Sequence, residues 1–188
     1  MSMSVSPPVT DGRRRRGDAS RRVLLDAASR VIVEDGVGAL THRAVAEAAG
    51  VSLARVSYHF PKVEDLMVAA TSRYLDEFDE RLRAMAASAR SSRRSMVEAC
   101  TDFVLELVTV GSREFLAMVE VRMALHQRGA TVDGSAVLGV IESFGADARR
   151  AGSITAALFG FAVLAATAPA PATRTQVRTY VRWTLEAP

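Results

Sequence analysis

The stretch Thr41-His-Arg-Ala-Val-Ala-Glu-Ala-Ala-Gly50-Val-Ser52-Leu-Ala-Arg55-Val-Ser-Tyr58-His-Phe60-Pro-Lys62-Val-Glu64-Asp65-Leu66 decides the fold. A short helix breaks at a glycine, and a second begins three residues later. Thr41 is a good N-cap, and Val45, Ala48 and Ala49 give the first helix a small apolar face. Gly50 suits the sharp turn because glycine tolerates positive φ, and Ser52 can cap the helix that follows. Two short helices joined by a tight glycine turn form a helix-turn-helix, whose second helix enters the DNA major groove.

The second helix divides by face. Leu53, Val56 and Phe60 recur at i, i+3 and i+7, which points them inward. Arg55, Tyr58 and His59 recur on the opposite side. They present a guanidinium, a phenol and an imidazole, all able to donate hydrogen bonds to phosphates or base edges. A solvated helix face around a packed aromatic would also fit this one helix. The glycine turn, the two caps and the divided faces together favour the DNA-reading alternative.

Working outward, Ala27-Ala28, Asp35-Gly36, Leu40-Thr41, Val45 to Ser52, Tyr58-His59-Phe60 and Glu64-Asp65-Leu66 agree in order and spacing with a known pattern. Over residues 20 to 68 the chain resembles the tetracycline-repressor (TetR) family of bacterial transcription regulators. Two positions depart from the pattern. Ser57 stands where the family more often has Tyr, and Val63 where it usually has Lys, with Lys62 one position early. Both family residues commonly touch the DNA backbone. The resemblance implies that Arg55, with its neighbours Leu53, Ala54 and His59, reads bases. It also implies that Thr41, Arg43, Ser52, Tyr58, His59 and Lys62 hold phosphates of a double-stranded operator.

Charge follows the same division. Residues 13 to 62 hold ten Arg or Lys against five Asp or Glu, whereas residues 63 to 188 hold fourteen against fifteen. The basic excess lies on the proposed reading head, as an electrostatic footprint for DNA should. Residues 1 to 18 read as a disordered basic arm, with small residues, two prolines and Arg13 to Arg16. Such an arm can reach the minor groove or remain a solvated tail. No apolar segment follows it, so it is not a secretory signal. The most apolar run, Ile154 to Ala168, is too short to span a bilayer. A cytoplasmic protein with no membrane contact is expected.

The expected architecture is all-α, with about nine helices. A three-helix head, residues 19 to 66, precedes a helical effector-binding and dimerisation domain, residues 67 to 188. Helix 1 should run from about Ser20 to Glu34, burying Leu24, Leu25, Ala28, Val31 and Ile32. A long helix from Pro61 to about Ala89 has Leu66, Ala70, Tyr74, Phe78, Leu82 and Met85 on one face. Further helices follow at Ser95 to Val110 and Ser112 to Arg128, and a weaker one at Asp133 to Arg150. Ser153 should cap the apolar helix from Ile154, and Thr173 the last one.

Enzymatic constellations are missing from the sequence. It has no HExxH, GxSxG, P-loop or GxGxxG after a strand. The acids at Asp76 to Glu80 interleave with Arg73, Arg81 and Arg83 as a solvated face. The single cysteine, Cys100, sits among Met96, Phe103 and Leu107 and reads as a small buried apolar residue. Neither an enzyme nor a cofactor- or metal-binding protein is expected.

The apolar run Ile154 to Ala168 must be covered on more than one side. By resemblance, the last two helices of each subunit form a four-helix homodimer interface. A core helix in a monomer is the alternative. Also by resemblance, the middle region holds a pocket for a small apolar or amphipathic effector, lined by Met96, Phe103, Leu107, Phe115, Met118, Arg122, His126 and Phe144. Arg122 can fix a ligand carboxylate there or pair with Glu98, Glu106 or Glu120. The expected function is a transcription regulator, a repressor released from its operator by that effector. A DNA-binding dimer with no effector is the rival.

Overall fold

The computed structural model describes residues 10–92, 95–130, 137–142 and 146–186. All regular structure among them is helical: α1 (Thr10–Asp35), a 3-10 turn (Val37–Ala39), α2 (His42–Ala49), α3 (Leu53–His59), α4 (Val63–Ser91), α5 (Met96–Val108), α6 (Ser112–Gln127), α7 (Val137–Glu142), α8 (Ala148–Ala166) and α9 (Arg174–Glu186). The chain divides into two compact units, Met1–Ala70 and Thr71–Pro188. No helix among the described residues is long and apolar enough to cross a membrane.

In the first unit α1 packs on α2, and α2 on α3. The expected stripe of α1, Leu24, Leu25, Ala28, Val31 and Ile32, is buried together with Val45, Val56, Phe60 and Leu66. Two contacts tie α1 across the unit. Arg21 lies over the Phe60 ring, 4.5 Å from its centroid, and Arg30 Nη2 donates to the Ala48 carbonyl at 2.8 Å. Residues 10 to 18, expected as part of an irregular arm, are helical instead. Arginine is a good helix former, which suits the run Arg13 to Arg16 to helix. The remainder of that arm lies outside the described residues.

The turn between α2 and α3 is a Schellman stop. Gly50 has φ 65° and ψ 37°. The Val51 amide donates to Ala46 O at 3.0 Å and the Gly50 amide to Glu47 O at 3.2 Å. A Cβ at Gly50 would meet nothing within 4 Å, so only the backbone conformation demands glycine. Gly50→Val should therefore cost about 1–2 kcal/mol and lower the unfolding midpoint, whereas Gly50→Asn should cost much less. Equal midpoints for the two variants in thermal denaturation would show that the left-handed turn is not what selects glycine.

The caps only partly follow expectation. Thr41 Oγ1 accepts from the Ala44 amide at 3.1 Å, as expected. Ser52 occupies the N-cap of α3 but makes no side-chain cap bond. The buried face of α2 is Val45 with Ala46, not Ala48 and Ala49. The long helix starts at Val63 rather than Pro61, and the Lys62 amide donates to Asp65 Oδ2 at 3.2 Å, half of a capping box.

In the second unit α5 is central, packing on α6, α8 and α9. Its core joins Val104, Leu107 and Val108 to Phe115, Ala162, Val177 and Val181. A smaller cluster joins Ile141 of α7 to Ala151 and Ile154 of α8. The apolar helix is longer than expected, because Asp147 caps it by accepting from the Arg150 amide at 2.9 Å. Ser153 is an interior residue whose hydroxyl donates to Arg149 O. Of the weak helix expected over 133 to 150, the described residues form α7 and the start of α8, and residues 133–136 and 143–145 lie outside the described residues. Thr173 and Gln176 close α9 with a full capping box: the Gln176 amide donates to Thr173 Oγ1 at 3.3 Å, and the Thr173 amide to Gln176 Oε1 at 2.9 Å. Beyond the cap, Arg174 bridges to Glu98 and Asp102, and Arg178 to Glu98, binding α9 to α5. The Arg174 hydrogen bond in particular holds the Glu98 carboxyl below the usual carboxylate range.

Candidate DNA-reading face and effector cavity

The first unit presents the expected polar face. Arg55 and Lys62 are exposed, and Tyr58 is 83% exposed with its ring edge-on to His59 at 5.3 Å. At that exposure the Tyr58 phenol adds little to the core of the unit. His59 is half-buried, so it supports Tyr58 as much as it faces outward. Ala54 is exposed, and Ser52 keeps its hydroxyl clear of the helix it precedes. Thr41 has its oxygen committed to a cap but still has a proton to donate. Arg43 is exposed and bonded to Glu47 Oε1 at 3.2 Å, an exposed pair that a phosphate can outcompete.

Leu53 departs from the sequence reading. Expected on the inward face, it is 52% exposed. At about 100° per residue, Leu53 lies roughly 60° from Val56 and about 20° from Phe60, so its exposure follows from its place at the start of the helix and not from its angle around it. Leu53 is the first residue of α3, and the side chains this short helix and its cap bury are Val56 and Phe60. Leu53 therefore joins Ala54 and Arg55 on the outer surface, beside the side chains assigned to DNA.

The second unit contains a cavity of about 670 Å³. Met96, Cys100, Phe103 and Leu107 of α5 form one wall, and Phe115, Met118, Val119 and Arg122 of α6 another. Helix α4 adds Tyr74, Leu75, Phe78, Leu82 and Met85, and α8 adds Gly152, Thr155, Ala156, Leu158 and Phe159. Phe78 meets Phe103 edge to face at 5.3 Å, and Phe115 meets Phe159 likewise at 5.7 Å. These contacts stiffen walls otherwise made of adaptable Met and Leu. Burial pushes the Cys100 thiol up to about 11, so at neutral pH it is an apolar wall atom rather than a nucleophile. Burial likewise pushes the Tyr74 phenol up to about 12, which keeps it a hydrogen-bond donor. Among the described residues, no group of three His, Cys, Asp or Glu could hold a metal ion.

Six of the expected lining residues meet here: Met96, Phe103, Leu107, Phe115, Met118 and Arg122. His126 does not. It is exposed in the last turn of α6, and one turn, about 5.4 Å, carries it past the cavity. Phe144 lies outside the described residues. The contributions of α4 and α8 were not anticipated, because a stripe facing a cavity has the same spacing as one facing a core. Of the acids weighed as partners for Arg122, Glu98 pairs with Arg174 and Arg178, and Glu106 with Arg81.

The helix-turn-helix segment is where a known family matches. Residues 24–70 fit the profile of the bacterial regulatory proteins of the tetR family. That segment of the chain matches the TetR family's DNA-binding region. Solved TetR-like folds extend the likeness over most of the chain. The multidrug binding protein EbrR in complex with ethidium is 24% identical, covers 88% of this chain and 98% of its own, and has a TM-score of 0.75. Its imidazole complex gives 24% identity, 89% and 96% coverage and a TM-score of 0.74. A TetR-family member from Streptomyces coelicolor A3 gives 24%, 88% and 97%, and 0.70. At these identities the likeness carries the fold. No curated protein matches the chain. The matched segment holds α2, α3 and the start of α4, and so the exposed polar face of α3.

Proposed function

We propose that this protein is a transcription regulator of the TetR family, a homodimeric repressor that leaves its operator when a small apolar or amphipathic molecule fills the cavity of its second unit. The cavity carries the reading. A space of about 670 Å³ with Met and aromatic walls is the size of a small-molecule site, and a protein needing only a dimerisation device would gain stability by closing it. That favours an effector over the effector-free rival. EbrR, a protein of similar fold, has been solved with ethidium, malachite green and proflavin, all of a size such a cavity admits.

A ligand can act only by preferring one of two states. Helix α4 is the suitable lever. Its residues Leu66, Met67 and Ala70 are core residues of the first unit, and its residues Tyr74 to Met85 wall the cavity of the second. A guest that displaces this wall moves the covalent connection to the reading head. In a dimer, that alters the spacing of the two heads against successive major grooves.

The dimer reading rests on α8 and α9. Leu164 is 73% exposed and Trp183 64% exposed in the protomer. Phe161 stacks on Tyr180 at 4.3 Å, and Tyr180 touches Trp183 at 5.7 Å, giving an aromatic row beside Leu164. Gly160 is exposed mid-helix, and a Cβ there would meet nothing within the protomer. A glycine that costs a helix stability without a reason inside the protomer fits a close helix approach from outside it.

The test is operator release, read as anisotropy of labelled DNA against a panel of apolar compounds. Ala156 lines the cavity and is exposed, so Ala156→Trp can fill the space without disturbing the fold. Compounds that release the wild type should fail on Ala156→Trp, which should still bind DNA. Compounds that raise the wild-type melting temperature through the cavity yet never change DNA affinity would support the effector-free rival.

A further inference from the structure

The charges around the cavity are one-sided. Among the described lining residues there is no Asp or Glu, and Arg122 is the one charged side chain. Arg122 is exposed while lining the cavity, which puts it on the open side, and it forms no ion pair with an acid among the described residues. The other polar groups do not compensate a cation. The Thr155 hydroxyl already donates to Ala151 O at 2.8 Å. The Tyr74 phenol is kept neutral by its burial, so it brings no negative charge. Arg81 and Glu114 both act on Tyr74 from outside the lining, with opposite sign.

We propose that the effector of this cavity is an apolar carboxylate, its hydrocarbon or aromatic body between the Phe and Met walls and its carboxylate on Arg122, and that the site rejects organic cations. This rests on the effector reading above and adds the sign of the ligand's charge. A cation entering these walls loses hydration and meets a guanidinium, with no carboxylate to replace the water. A carboxylate meets a donor fork suited to two parallel hydrogen bonds. Because Arg122 stays partly hydrated, the preference is moderate rather than absolute.

A matched fluorescent series isolates charge from shape: 1-pyrenebutanoate, 1-pyrenebutanol and the pyrenebutyl trimethylammonium cation. Wild-type protein should bind the acid about fivefold to tenfold more tightly than the alcohol, and the alcohol more tightly than the cation. Arg122→Met should weaken the acid to the level of the alcohol and leave the alcohol unchanged. Arg122→Lys should keep most of the preference, since charge is retained and only the fork is lost. Equal affinities across the series, a preference for the cation, or an Arg122→Met variant that loses acid and alcohol alike would overturn the proposal. Failure of all three probes to bind, or binding that Ala156→Trp leaves intact, would instead remove the cavity as an effector site.

Discussion

Leu164→Asp should leave each protomer folded and take the dimer apart. Leu164 is 73% exposed, so the substitution removes little packing within one chain, and circular dichroism should stay helical. In a two-fold interface each substitution appears twice. Each buried carboxylate costs several kcal/mol without a partner, so the dissociation constant should rise at least a hundredfold. Specific DNA binding should fall about as steeply, because two tethered heads bind one operator far more tightly than two free ones. Trp183, the single tryptophan, sits on the same aromatic row and reports the event without a label. Its emission should shift to the red when the wild type is diluted and should start red in Leu164→Asp. A Leu164→Asp protein that remains a dimer by light scattering, with unchanged emission, would remove α8 from the interface.

Arg55→Ala should separate base reading from phosphate holding. Arg55 is exposed near the start of α3, where side chains of a recognition helix reach base edges. Its loss should cost about 1–3 kcal/mol per half-site on the cognate operator and relax the preference at one position per half-site. Lys62→Ala should weaken all sequences about equally and flatten the salt dependence by about one counterion per subunit. Tyr58→Phe keeps the exposed ring and removes one hydroxyl, so it should also act on all sequences alike. Titrations on cognate and single-base variant operators at several salt concentrations distinguish these effects. If Arg55→Ala weakens every sequence equally, Arg55 clamps a phosphate and the reading passes to Leu53, Ala54 or His59.

The head was legible because its signals are local. Thr41 caps α2, Gly50 takes the left-handed turn, and Phe60 closes α3, all within twenty residues. Where local signals competed, the sequence did not decide. Ser52 and Ser153 both looked like caps. Asp147 took the start of α8 instead, leaving Ser153 inside the helix, and Ser52 kept its hydroxyl free. The inward stripe drawn through Leu53 failed although Leu53 is in line with Val56 and Phe60, because it sits at the first position of a seven-residue helix. The cavity was half legible. Regular spacing brought Met96, Phe103, Leu107, Phe115, Met118 and Arg122 together, but spacing cannot tell a filled core from a hollow one. The walls from α4 and α8 arise from packing between segments some seventy residues apart, which no local pattern encodes.

Selection of bound sites from a random duplex DNA pool by the purified full chain tests the regulator most directly. The expected result is a two-fold symmetric sequence whose half-sites are centred about one helical turn apart, or a multiple of that, with enrichment lost in Arg55→Ala and in Leu164→Asp. Retention of DNA with no sequence enriched, or enrichment that Arg55→Ala leaves untouched, would contradict a dimeric operator-binding protein reading DNA through α3.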